Sequence, residues 1–372
     1  MRRAFVVAAA AALAACGGGG GGGGTGVHTY HAAAPVGDFL TLTIDTNAHT
    51  IDYVNITNGD HGTVDYADRA DGGMDVTDPN GDLVLCYELA GKAVVCQGSD
   101  LGSSPTHASR EPALLFGVLD TPLVKNDLKG LGGVGYMQFR TKEGGMEVGH
   151  FTFDAAGNAA GNAWFPMNQV LPEGCYGKTE YNALTISFAD FADNATYGCV
   201  ERTESTPHGD QISRVFGTPS GDYMVDSPNG ALFIWRDASS TAFDPAKAGS
   251  YTALVYSKHV TYNSGTETGT PEISTVAVQI STAGKITVTQ GSTTVFDAVQ
   301  MVPFAGSPWQ GPTEVTNPTP GLFFFMDAGT PVFVTFFQNA MAFATFQPEM
   351  AAGACNENAE YSYTYGVAVK AP

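Results

Sequence analysis

The chain has 372 residues, with 37 acidic against 17 basic side chains and a formal charge of −20 at neutral pH. A surface of that sign argues against nucleic acid and anionic membrane surfaces as partners. Hydrophobic residues make up 43%, enough for a core and too many for a disordered stalk, and 46 glycines with 20 prolines point to many turns.

The N-terminus opens on Arg2 and Arg3, runs apolar from Ala4 to Ala12, and reaches Leu13-Ala14-Ala15-Cys16 ahead of eight glycines, Gly17 to Gly24. A basic start, a short apolar stretch and small residues before a cut site make a secretory signal peptide over 1–15. The apolar run stops short of the roughly 20 residues that a spanning helix needs. Leu13–Cys16 also resembles the lipobox of bacterial lipoprotein precursors. That resemblance implies cleavage before Cys16, acylation of its thiol, including palmitate, and a lipid anchor in the membrane. Gly17 stands where aspartate retains lipoproteins at the inner membrane, so the same resemblance implies the outer membrane. Residues 16–36 then read as anchor and tether, because a glycine run has too much backbone freedom to order. His28 and His31 fall in this stretch and are read as linker, not metal ligands.

From Asp38 onward the pattern is strand and turn. Phe39-Leu-Thr-Leu-Thr-Ile44 alternates, Asp45-Thr-Asn-Ala turns, and Thr50–Val54 returns; the same shape recurs near Gly149–Gly157 and Val276–Val288. No long stretch in the mature chain carries apolar residues at helical spacing. A second hairpin type places an acidic residue a few positions after an apolar strand, at Glu88, Asp120, Asp237 and Asp327, where it reads as a turn-former. The copies are unevenly spaced, which sets aside propellers and solenoids. Gly130–Gly135 reads as a flexible or bulged segment. Near-continuous apolar runs at Phe323–Met326 and Val332–Phe337 read as strands covered on both faces. The polar stretch Glu201–Asp210 is the best boundary. The expectation is therefore an all-β, antiparallel chain of two sandwich or barrel-like domains, 37–205 and 206–372.

Five cysteines remain beside Cys16. Cys86 and Cys96 flank a turn at Ala90-Gly91-Lys92, so folding there places them opposite each other for a disulfide. Cys175 and Cys199, each beside glycine and tyrosine, are expected to pair, leaving Cys355 free or intermolecular.

Motifs for chemistry are few. No Gly-x-Ser-x-Gly, His-Glu-x-x-His or Walker loop occurs. Asp78, Asn80 and Asp82 space three oxygens as calcium ligands are spaced, without the glycine and glutamate of an EF-hand, so a turn is the plainer reading. Asp60, Asp65, Asp68, Asp71 and Asp75 would complete a calcium site or form a solvated loop. Trp309, on a Ser-Pro/Gln-Gly-Pro loop, is the one tryptophan placed to stack on a ligand such as a sugar; Trp164 and Trp235 read as core. The functional expectation is a non-catalytic, outer-membrane lipoprotein that binds a protein or glycan. The alternative is an envelope-anchored carbohydrate-active hydrolase, whose paired carboxylates have no fixed sequence spacing.

Overall fold

The computed structural model describes residues 26–78, 83–99, 112–140, 145–165, 180–206, 209–218, 221–228, 230–236, 242–263, 266–304, 320–327, 330–337, 340–349 and 358–371. It is 71% strand and 4% helix, in antiparallel sheets, as the alternation predicts.

The first sheet is a closed barrel of eight strands in chain order: β1 (Val27–Ala34), β2 (Asp38–Asp45), β3 (Thr50–Asn55), β4 (His61–Asp68), β5 (Gly73–Thr77), β6 (Leu83–Leu89), β7 (Ala93–Ser99) and β8 (Pro112–Leu119). Alternation decides its two faces. Tyr30, Leu40, Leu42, Ile44, Ile51, Val94 and Leu115 fill the inside. On the side away from the other sheets, Asp52, Thr63 and Asp65 are exposed or partly so.

The second sheet contains β9 (Gly132–Arg140), β10 (Gly145–Phe153), β11 (Ala159–Phe165), β12 (Glu180–Ile186), β13 (Phe191–Asn194), β14 (Cys199–Thr206), β15 (Gly209–Gly217), β16 (Tyr223–Ser227) and β17 (Gly230–Arg236). The third contains β18 (Gly249–Asn263), β19 (Thr266–Thr268), β20 (Pro271–Ile280), β21 (Lys285–Gln290), β22 (Thr293–Gln300), β23 (Val302–Pro303), β24 (Leu322–Asp327), β25 (Thr330–Phe337), β26 (Ala340–Glu349) and β27 (Asn358–Lys370). One winding is used three times. In each unit a meander brings the last strand back beside the first: β8 on β1, β17 on β9 and β27 on β18. The second sheet is nearly closed, and its ends are β12 and β13, on either side of a short 3-10 turn at Phe188–Asp190.

The extent of the tether and the position of the boundary are corrected. The tether does not extend to residue 36. Val27–Ala34 is β1, paired with β2 along its length, because Tyr30, Ala32 and Ala34 point into the barrel and alanines let the strands approach. The boundary expected at 205/206 falls inside a hairpin, since Thr206 pairs with Gly209 across the β14–β15 turn. By sheet membership the described strands fall into three groups. Gly130–Gly135, read as flexible or bulged, leads into β9 at Gly132, with Gly130 and Gly132 at φ of 66° and 75°.

The three sheets share one core. Phe39, Val95 and Phe116 of the barrel, Phe139, Phe216 and Phe233 of the second sheet, and Tyr256, Phe333 and Phe337 of the third belong to a single buried cluster. The apolar run of β25 is buried on both faces, as expected. Val332, Val334 and Phe336 point one way; Phe333 and Phe337 point to the shared core.

Candidate functional site

Two polar constellations involve the barrel. The first lies at the end where β1 begins. Glu88, near the end of β6, points inward, and its side chain is 8% exposed. Its Oε1 accepts from the Tyr30 hydroxyl at 2.5 Å and meets His28 Nδ1 at 2.8 Å. Gly91 N–H donates to the Tyr30 oxygen at 3.0 Å. Burial, then the Glu88 charge, push the Tyr30 hydroxyl well above its ordinary range, so it stays a proton donor. Glu88 is thus a clamp on the first strand, not the turn-former expected of it. Asp120 acts similarly, meeting His31 Nδ1 at 3.3 Å. His28 and His31 lie on opposite faces of β1, as a period of two requires, so they do not converge on a metal. Asp327, by contrast, flanks the β24–β25 hairpin as expected; Asp237 lies outside the described residues.

The second constellation lies where the barrel meets the second sheet. Phe39 stacks on Phe216 with centroids 4.6 Å apart, the His31 ring lies 4.8 Å from Phe216, and the Arg214 guanidinium covers Phe39 at 5.4 Å. Arg214 Nε bonds Glu201 Oε1 at 3.1 Å, and its Nη1 meets Asp226 Oδ2 at 3.4 Å. Asp38 is fully buried there. Burial lowers the His31 pKa, against the opposing pull of Asp120.

The disulfide expectation divides. Cys86 and Cys96 are direct cross-strand partners and are bonded, with Cα atoms 4.1 Å apart. The pairing of Cys199 with Cys175 is not made. Cys199 is free and buried because it points into the shared core, and burial pushes its thiol up to about 12. Cys175, Cys355 and Cys16 lie outside the described residues.

Of the calcium candidates, Asn80 and Asp82 lie outside the described residues; Asp78 Oδ2 accepts from Leu83 N–H at 3.1 Å. Asp71 and Asp75 are both bonded to Arg69, and Asp68 meets His49. Among the described residues no group of three His, Cys, Asp or Glu is arranged to hold a metal. Trp309 lies outside the described residues. Trp164 falls in β11 and Trp235 in β17. Other carboxylates shape turns: Asp45 Oδ1 accepts from Asn47 and Ala48 N–H, and Asp154 Oδ1 from Ala156 and Asn158 N–H.

Sequence reasoning missed Glu88, Arg214 and Asp226 as partners. The one signal at hand was the recurrence of acids after apolar strands, which marked Glu88 and Asp120 but assigned them to turns.

The fold defines an all-β protein of three antiparallel sheets, one a closed barrel. No protein-family model matches the chain, and no curated protein matches it. Crystal structures of the vaccine antigen transferrin-binding protein B from Haemophilus parasuis Hp5 are similar to it. The double mutant has a TM-score of 0.25 at 7% identity and a single mutant 0.24 at 8%, each over 90% of this chain. The chain spans 66% of the length of those structures.

Proposed function

We propose that this chain is an outer-membrane lipoprotein, anchored through acylated Cys16, that acts by binding a protein or glycan at the cell envelope. The observation that carries the reading is the position of β1. It starts at Val27, just past the glycine run that follows Cys16. Eleven residues from Cys16 to Val27 reach at most about 36–40 Å, so such an anchor would hold the barrel within that distance of the bilayer. Binding in place of turnover is supported by two features. The barrel interior is filled with Leu and Ile side chains, and carboxylates such as Asp45 and Asp154 are engaged in turns. This reading requires no cofactor; calcium at Asp78, Asn80 and Asp82 is a variant of it that EDTA tests.

The experiment is metabolic labelling with radioactive palmitate, comparing the natural chain with Cys16→Ser, followed by separation of inner and outer membranes. Label in the outer membrane that disappears with the variant is expected. Unlabelled protein released to the soluble fraction overturns the anchor. Melting of the purified chain with calcium, with EDTA and against a glycan panel then tests the ligand. A ligand at a hundred times its dissociation constant adds about 2.7 kcal/mol to the native state.

A further inference from the structure

Three carboxylates gather at the joint between the barrel and the second sheet. Arg214 on β15 serves two acids, Glu201 on β14 and Asp226 on β16. Asp38, at the start of β2, brings a third that is fully buried. The Asp226 side chain is 3% exposed, and its Oδ1 has no hydrogen-bond partner among the described residues. A buried carboxylate oxygen without a partner is costly when ionised. Main-chain contact prevents the acids from drifting apart. Gly37, beside Asp38, has φ of 93°, and a Cβ there would lie 2.5 Å from the carbonyl oxygen of Pro228, two residues past Asp226. Other titratable groups described at this joint include His31 on β1, Asp120 just after β8, the Cys199 thiol on β14 and Tyr197, whose ring packs 5.9 Å from Phe39. Among these groups Arg214 is the one permanent cation.

We propose that Asp226 is a proton-operated latch: with its proton bound, barrel and second sheet stay closed on each other, and loss of the proton loosens this joint. Burial first, and the neighbouring Asp38 charge, push the Asp226 carboxyl up to about 7 against the pull of Arg214. An unfolded aspartate titrates near 3.9. Between about pH 4 and 7 the native chain therefore holds a proton that the unfolded chain has released. The stabilisation is full below that window, falls as pH rises through it, and is flat above. His31 works with the opposite sign. Its pKa is lowered by burial, so stability falls as pH drops through about 6.5. The whole-protein profile mixes both groups, and only a difference isolates the latch.

The test is melting of the full-length chain from pH 4.5 to 8.5 beside Asp226→Asn, which mimics the protonated form. The variant is expected to gain several degrees on the natural protein between pH 5 and 8. Amide protection, taken relative to the intrinsic exchange rate at each pH, is expected to fall above pH 7 at the β1–β2 turn and in β16 of the natural protein and not in the variant. A melting difference that does not change with pH overturns the latch. Should Asp226→Asn fail to fold, infrared spectra of the natural chain with isotope-labelled aspartate decide. A protonated carboxyl band at pH 6 that vanishes by pH 8 supports the latch, and its absence at pH 6 overturns it.

Discussion

Phe116 of the barrel meets Phe233 of the second sheet edge to face, with ring centroids 5.1 Å apart. Phe337 of the third sheet completes the triangle, 5.0 Å from Phe116 and 4.8 Å from Phe233. Each sheet thus contributes one ring to a single contact in the shared core. Phe116→Ala should cost about 3–5 kcal/mol. The natural chain should unfold in one transition, coincident by circular dichroism and tryptophan fluorescence. Separate transitions would show that the shared core does not couple the sheets.

Tyr30→Phe removes a donor from Glu88 while keeping the ring inside the barrel. The loss is expected at about 1.5–3 kcal/mol, the range for a hydrogen bond to a charged group, read from the urea midpoint. Exchange should rise at β1 and at the Gly91 amide, whose acceptor is the Tyr30 oxygen. Protection unchanged at both would show that the clamp does not hold the first strand.

Reducing the Cys86–Cys96 bridge should destabilise the chain by about 2–3 kcal/mol, the chain-entropy value for so short a loop. The two cysteines are ten residues apart in a hairpin whose backbone already pairs. A paired Cys86→Ala/Cys96→Ala variant should still fold and lose its response to reductant.

Cys199 should resist alkylation in the native chain. Its thiol is buried and its pKa is pushed up to about 12, and the thiolate is the reactive form. Peptide mapping after native labelling at pH 8 should show Cys199 unmodified, and after denaturant fully modified. Native labelling at this position would contradict its placement in the core.

Gly37→Ala and Gly59→Ala make a matched pair. Both positions have positive φ, 93° and 87°, and a side chain there costs about 1–3 kcal/mol in backbone strain. A Cβ on Gly59 has nothing within 4 Å, whereas one on Gly37 meets the Pro228 backbone. Gly37→Ala should therefore lower the melting temperature clearly more. Equal losses would mean that the Gly37–Pro228 approach is not tight.

Legibility in the sequence followed locality. The β2–β3 hairpin could be read because alternation and an Asp45 turn lie within a dozen residues. Cys86 and Cys96 could be matched because the turn at Gly91 fixes their register. β1 could not be read, since His28-Thr-Tyr-His-Ala-Ala-Ala carries few β-branched residues and follows a glycine run. The roles of Glu88 and Arg214 were hidden for another reason. Glu88 is 58 residues from Tyr30, and Arg214 bonds acids on two other strands, so no spacing marks either.

Residue order alone determined the all-β class, the period-two faces, the local hairpins and the Cys86–Cys96 bridge, because a pleated strand and a tight turn are set by neighbours in the chain. Only the tertiary structure decided that there are three sheets, that Cys199 is a core thiol and that Asp226 is buried beside Asp38. Those outcomes depend on which distant strands close on each other, as β18 does on β27 and β9 on β17. That choice is made by burying one shared apolar surface, which no local pattern records.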